Sequence, residues 1–264
     1  MMESNPIVVP LQHFIKYKPL LRELVVRDLK VKYRRSFLGY LWSLLNPLLM
    51  MAVMTLVFSY MFRFDIPNYP LYLISGQTLW NCFNEATNMA MTSVIQNGSL
   101  IKKVYIPKFI FPLSRVLSCF VTMSFSLVAI LIVLIGTGTV IHWEVLFFWI
   151  PLILMFLFSC GIALILSAIA VQFRDVMHLY SVITMAWMYA TPIFYPVDKV
   201  PEAVQFIIRL NPMYHYINFF RELVLYGTIP GPNTWFACFA SSFLVLGVGL
   251  AVFRRLQRNF ILYI

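Results

Sequence analysis

From residue 37 to residue 62 the chain runs without a charged side chain, directly after a stretch, 27–35, that holds five cations. That apolar run is the first of six, at approximately 37–62, 69–95, 109–135, 145–171, 180–195 and 235–253. Each comes near the ~20 residues that a helix needs to cross a hydrocarbon core of ~30 Å. The pattern therefore predicts six transmembrane helices. The second is polar for a span, and the fifth is short and ends at Pro192 and Pro196.

Two segments outside these runs are amphipathic. Pro19 suits the first position of a helix, after which Leu21, Val25 and Leu29 share one face and Glu23, Arg27, Lys30 and Arg34 another. This predicts a helix lying along the inner interface, its basic face toward headgroups or a partner, with Ser36 at the bend into the membrane. The loop 197–233 holds two apolar pieces, 201–210 and 213–225, split by Asn211-Pro212. They are too short to cross and are expected to dip into the outer leaflet and return, with Arg209, Arg221 and Glu222 at shallow depth or against a wet cavity. The fold class expected is an all-α membrane protein: six transmembrane helices, an N-terminal amphipathic interface helix, and an outer re-entrant helical pair between helices five and six. Its parts are a cytoplasmic N-terminal segment (1–36), a transmembrane domain (37–253) and a short cytoplasmic tail (254–264).

Composition agrees. A chain that is 61% hydrophobic and 11% charged, with mean hydropathy +0.82, has more apolar surface than a water-soluble body of 264 residues can hide. The net charge of +10 would suit nucleic acid if it formed a basic domain, but the cations crowd beside apolar spans. With both termini inside, sixteen of the twenty Lys and Arg fall on inner segments, which predicts an N-in, C-in topology and no nucleic-acid partner. Cys82, Cys119, Cys160 and Cys238 stand singly in apolar stretches and read as small core residues. The first apolar run is too long for a signal peptide, so no N-terminal cleavage is expected.

Chemistry concentrates in three places. In the second span Gln77, Asn81, Asn84, Asn88 and Thr92 recur at four, three, four and four residues, with Glu85 beside them. Such a row must face protein or a hydrated passage, because hydrocarbon offers amides no partner; it either glues helices together or lines a channel. A proton relay through Glu85 would need a second buried carboxylate or His, which the spans lack. In the fifth span Tyr180, Trp187 and Tyr189 either pack in the core or offer ring faces to sugars. Between the second and third spans, Asn97-Gly98 marks a turn and Ser99 can cap a short helix that Pro107 ends. That helix, with Leu100, Lys102, Lys103 and Tyr105, is either a solvated basic loop or an element that docks into a soluble partner. Adjacent Arg174 and Asp175 are expected to form a local ion pair in the other inner loop. No GxxxxGK[ST] loop is present, and neither paired acids nor His clusters point to an enzyme.

Four stretches, in order, resemble one family: "RDLKVKYRRSFLGYLWSLLNPLL", "NGSLIKKVYIPKFIFPL", "ATPIFYPVDKVPE" and "LNPMYHYINFFRELVLYG". They look like ABC type-2 permeases, the membrane subunits of O-antigen and teichoic acid exporters of bacterial plasma membranes. The resemblance implies a homodimer of this chain with two copies of a separate ATPase that carries ATP and Mg. It also implies a lipid-linked polysaccharide moved outward through a channel at the dimer axis, with no cofactor on this chain. Residues 99–105 would be the coupling helix in the ATPase cleft. Arg27, Lys30, Arg34 and Arg35 would belong to an interface helix near the ATPase, with Arg34 and Arg35 beside the carrier's diphosphate. Gln77, Asn81, Asn84 and Asn88 would line the passage. The rivals are a permease of the same architecture for drugs or small lipids, which needs a more apolar cavity, and a membrane scaffold or enzyme without an ATPase.

Overall fold

The computed structural model describes residues 8–32, 34, 36–61 and 66–263, and among them the regular structure is helical. Helix α1 (Val8–Lys32) is followed by α2 (Trp42–Met61), α3 (Tyr69–Gln96), α4 (Gly98–Lys103) and α5 (Ile110–Gly136). Then come α6 (Trp149–Gln172), α7 (Val176–Tyr189), α8 (Glu202–Arg209), α9 (Pro212–Arg221), α10 (Pro232–Leu256) and α11 (Phe260–Tyr263). Four stretches, Gly39–Phe58, Ile110–Gly136, Trp143–Gln172 and Pro232–Asn259, are long and apolar enough to cross a membrane by length and composition. Two helices of the six-run reading fall outside that set. α3 is long, but its polar stripe lowers its hydropathy; α7, with 14 residues, extends only ~21 Å at 1.5 Å per residue.

The least apolar long helix is the most enclosed one. α3 lies between α5 and α6, and every residue from Leu71 to Trp80 is buried. Enclosure among helices keeps its polar groups away from hydrocarbon, which would supply no partner. α6 packs most extensively on α10. There a Cβ on Gly249 would run into the Gly161 carbonyl, so the two backbones touch only because both positions lack side chains. Ser242 Oγ donates to Leu154 O at 2.8 Å across the same contact.

Several boundaries differ from expectation. α1 starts at Val8 and runs through Pro19, so Pro19 sits inside the helix and not at its start. α4 begins at Gly98 with Asn97 in the N-cap position, which puts Ser99 within its first turn and not at its cap. α7 opens four residues before residue 180 and stops at Ala190, because Pro192 cannot continue the hydrogen-bond ladder. No ion pair joins Arg174 and Asp175, both exposed where the chain turns between α6 and α7. Two short helices form where the amphipathic pieces were expected, as α8 and α9, and a π-helical turn, Glu222–Tyr226, closes at Gly227 with φ +59°. Asn211 joins this pair to α7: its Oδ1 accepts from Met213 N (3.0 Å) and Trp187 Nε1 (2.7 Å), and its Nδ2 donates to Thr191 Oγ1 (2.8 Å).

Candidate functional site

The stripe on α3 divides by depth. Gln77 is buried with Oε1 unpartnered, whereas Asn81 is exposed and its amide bonds to no described residue. One turn inward, Asn88 Nδ2 donates to both Asn84 Oδ1 and Asn84 O at 2.8 Å, so this pair satisfies itself along the helix. Thr92 accepts from Gln96 Nε2 (3.1 Å), and Gln96 in turn accepts from Arg115 of α5 (3.2 Å). None of the five polar groups bonds to α6 or α10, so the stripe is not the glue between packed helices that a buried polar row would supply.

Glu85 ties the stripe to the N-terminal helix. Its Oε1 accepts from Lys32 Nζ, on the last turn of α1, at 2.5 Å. Both side chains are about one-third exposed, 34% and 39%, so the pair contributes little to stability and more to the relative placement of α1 and α3. On one side of it lies a recess of about 330 Å³ between α2, α3 and α5, lined by Trp42, Asn46, Thr78, Asn81, Thr122 and Ser126 among others. On the other lies a second recess, of about 380 Å³, bounded by Arg27, Asp28, Met89, Gln96 and Arg115.

Asp28 anchors this second recess. It is 7% exposed, pairs with Arg115 at 2.8 Å and Arg27 at 3.3 Å, and accepts from Ser118 at 3.4 Å. It continues the apolar face of α1: Leu21, Val25 and Asp28 follow at four and three residues, all buried. Its place on that face was the available signal of a buried carboxylate, which the sequence reading overlooked. Leu21 and Leu24 share one apolar cluster with Ile106, Ile110 and Phe111, with Leu100 and Ile101 of α4 packed against it. α1, α4 and the start of α5 therefore pack as one unit. Arg27, Lys30 and Arg34 point outward from it, and Arg35 lies outside the described residues.

The short basic helix between α3 and α5 turns most of its polar side chains outward. Ser99, Lys102 and Lys103 are exposed, Tyr105 is 87% exposed, and Leu100 turns inward. Its far end is held by Lys108, whose Nζ donates to Gln257 O at 2.7 Å and sits 5.4 Å over the Phe260 ring. Burial there pulls the Lys108 ammonium below its ordinary pKa.

The aromatic residues of α7 separate. Tyr180 is buried and donates to Thr87 Oγ1 at 2.7 Å; Trp187 meets Phe83 and Trp80 edge-on at 5.2 and 6.0 Å. Both are engaged in packing against α3, and Tyr189 alone of the three is exposed, at 63%.

Arg221 does not face a wet cavity, one of the two places expected for it. It is 3% exposed. It donates to Pro192 O (2.8 Å), Tyr72 O (2.8 Å) and Ile193 O (3.0 Å), and its guanidinium carbon stands 3.4 Å from the Tyr72 ring centroid. A Cβ on Gly76 would collide with its Nη2, so Gly76 makes the space. The reason is local: Pro192 ends α7 and leaves carbonyls that no helical N–H reaches, and a planar fork on α9 meets them.

Residues 19–225 match the family model described as ABC-2 type transporter. The chain is 30% identical to the O-antigen export system permease protein RfbA of Myxococcus xanthus over 93% of its own length and 95% of that protein's. It is 33% identical to a protein of the same name from Klebsiella pneumoniae, over 89% of this chain and 90% of that one. Similarity extends, at 24% identity over 94% and 95% of the two chains, to the capsule polysaccharide export inner-membrane protein CtrC of Neisseria meningitidis. With that match covering most of an all-helical chain whose polar stripe is tied to its N-terminal basic helix, the protein belongs to the ABC-2 type transporter family.

Proposed function

We propose that this chain is the membrane subunit of an ATP-driven exporter that moves an undecaprenyl-diphosphate-linked polysaccharide, an O-antigen or a similar cell-surface glycan, across the bacterial inner membrane. The observation that carries this reading is nearly end-to-end similarity to permeases named for O-antigen and capsule polysaccharide export. In this reading α2, α3, α5, α6, α7 and α10 are the six spans, both termini lie in the cytoplasm, and α8 and α9 form the outer re-entrant pair. Two copies assemble with two copies of an ATPase, which binds ATP and Mg; this chain binds no cofactor and catalyses nothing itself.

The roles follow the geometry. Gln77, Asn81, Asn84, Glu85, Asn88 and Thr92 border the hydrated path, where amides exchange hydrogen bonds with sugar hydroxyls without a deep binding well, and Tyr189 adds a ring face. Tyr180 and Trp187 hold α7 against α3. Ser99, Leu100, Lys102, Lys103 and Tyr105 dock on the ATPase. Movement there reaches α1 through the shared apolar cluster and reaches α3 through Lys32 and Glu85. Arg27, Lys30, Arg34 and Arg35 meet the ATPase or the carrier's diphosphate.

The test is removal of this subunit in its native cell, followed by fractionation of lipid-linked glycan. Glycan accumulating on the cytoplasmic side, with export restored by the wild-type chain, is the expected result. Unchanged surface glycan would refute the proposal.

A further inference from the structure

We infer that the recess between α2, α3 and α5 is a binding subsite for one uncharged sugar unit, the unit next to the carrier's diphosphate. The inference rests on the export reading and gives it a place for the substrate within each protomer, at the part of the α3 stripe that holds Asn81 and Glu85.

Three observations carry it. First, the recess is polar at the wrong depth for a void: Asn46, Thr78 and Asn81 line it, and none of their side chains bonds to any described residue. Thr78 is the sharpest case. It is 5% exposed and its Oγ1 has no partner, although threonines in a helix ordinarily satisfy themselves on a carbonyl one turn back, as Thr87, Thr122 and Thr184 do here. A buried hydroxyl left free in this way is costly unless something in the recess meets it.

Second, the charge is balanced. Among the described residues, Lys32 and Glu85 are the charged ones at the recess, and they pair with each other. A phosphate there would face the Glu85 carboxylate. The neighbouring recess instead adds Arg27 and Arg115 against Asp28, which leaves an excess of cations. An anionic headgroup suits that second recess, and a neutral polyol suits the first.

Third, the size and lining fit a single sugar. About 330 Å³ lies at the small end of ligand pockets, roughly 300–1,000 Å³, and Trp42, 44% exposed, stands at its edge. Amides and hydroxyls beside one indole is the chemistry that reads a sugar's rim and its C–H face. Since Lys32 and Glu85 border both recesses, a diphosphate in one and its first sugar in the other would bracket the ion pair that connects α1 to α3.

The experiment uses the chain with its ATPase subunit in lipid nanodiscs. Two probes are titrated: undecaprenyl diphosphate bearing one N-acetylglucosamine, and undecaprenyl diphosphate alone. Thr78→Val keeps the shape of a side chain that bonds to nothing, and Asn81→Leu replaces an exposed amide, so neither removes an internal contact. Each is expected to weaken the sugar-bearing lipid about fivefold, the worth of one hydrogen bond, and to leave the bare lipid's affinity unchanged. Equal losses for both lipids would put the lipid or its diphosphate in the recess, and no loss for either would mean that it holds only water; both results overturn the inference. The broader reading is judged separately. If cells lacking the chain still export glycan while Thr78→Val retains its sugar-specific defect, the export proposal fails and the subsite stands; if export is lost without the chain but Thr78→Val shows no sugar-specific defect, the export proposal stands and the subsite fails.

Discussion

Replacing Arg221 by Met removes a guanidinium that joins α9 to α3 and to the segment after α7, while keeping much of its length. Three carbonyls lose a donor: Tyr72 O, Pro192 O and Ile193 O. Two of them retain other partners, since Tyr72 O still accepts from Ser75 Oγ and Pro192 O from Tyr72 OH. Ile193 O is left bare, at about 1–3 kcal/mol for a buried unsatisfied group, and the stacking on Tyr72 is lost at up to about 2 kcal/mol. Against this, Met no longer buries a charge, which relieves part of the cost of desolvating Arg. The net loss is about 3 kcal/mol, or roughly 6–12 °C in melting temperature for a chain of this size. Lys should be no better than Met, because it keeps the buried charge and loses the planar fork. Gly76→Ala should lower the melting temperature alone, by displacing Nη2, and should cost far less in the Arg221→Met background. The assay is thermal unfolding of purified protein followed by fluorescence-detected size exclusion. A melting temperature for Arg221→Met within about 2 °C of wild type, or additive effects of the two substitutions, would refute the clamp.

Other expectations concern the path of force and the packing. Lys32→Ala should leave stability within about 1 kcal/mol, as for an exposed pair, yet raise ATP hydrolysis relative to glycan export; the exchange Lys32→Glu with Glu85→Lys should restore the ratio. Reversing Lys102 and Lys103 to Glu should abolish co-purification of the ATPase or its stimulation, and normal export by that double variant would remove the docking role. Gly249→Leu should prevent assembly of α10 on α6, read as loss of monodisperse protein, because the Gly161 carbonyl occupies the space of the new side chain.

Much of the helical order was legible because hydrophobic runs are long and their ends carry cations. α5, α6 and α10 begin and end within a few residues of the runs that announced them. α3 was legible for the opposite reason, its polar residues repeating at helical spacing. What escaped were features set by tertiary context. Asp28 sits among cations in the sequence and reads as surface, but the face it shares with Leu21 and Val25 turns it against Arg115. Arg221 looks like an interfacial cation until the break at Pro192, distant in sequence, supplies its acceptors. Pro19 is a helix starter by preference, yet α1 continues through it. The rings of Tyr180 and Trp187 could line or pack, and the partners that decide, Thr87 and Asn211, lie on other elements.

The central claim is that the amides of α3 border a water-filled path that opens when the ATPase moves α1. In a background with Cys82, Cys119, Cys160 and Cys238 replaced, Asn81, Asn84 and Asn88 are changed singly to Cys and exposed to a membrane-impermeant thiol reagent. Labelling that rises or falls with the nucleotide state of the ATPase is the predicted result. Sites that stay unreactive in every state, in cells that still export glycan, would contradict it.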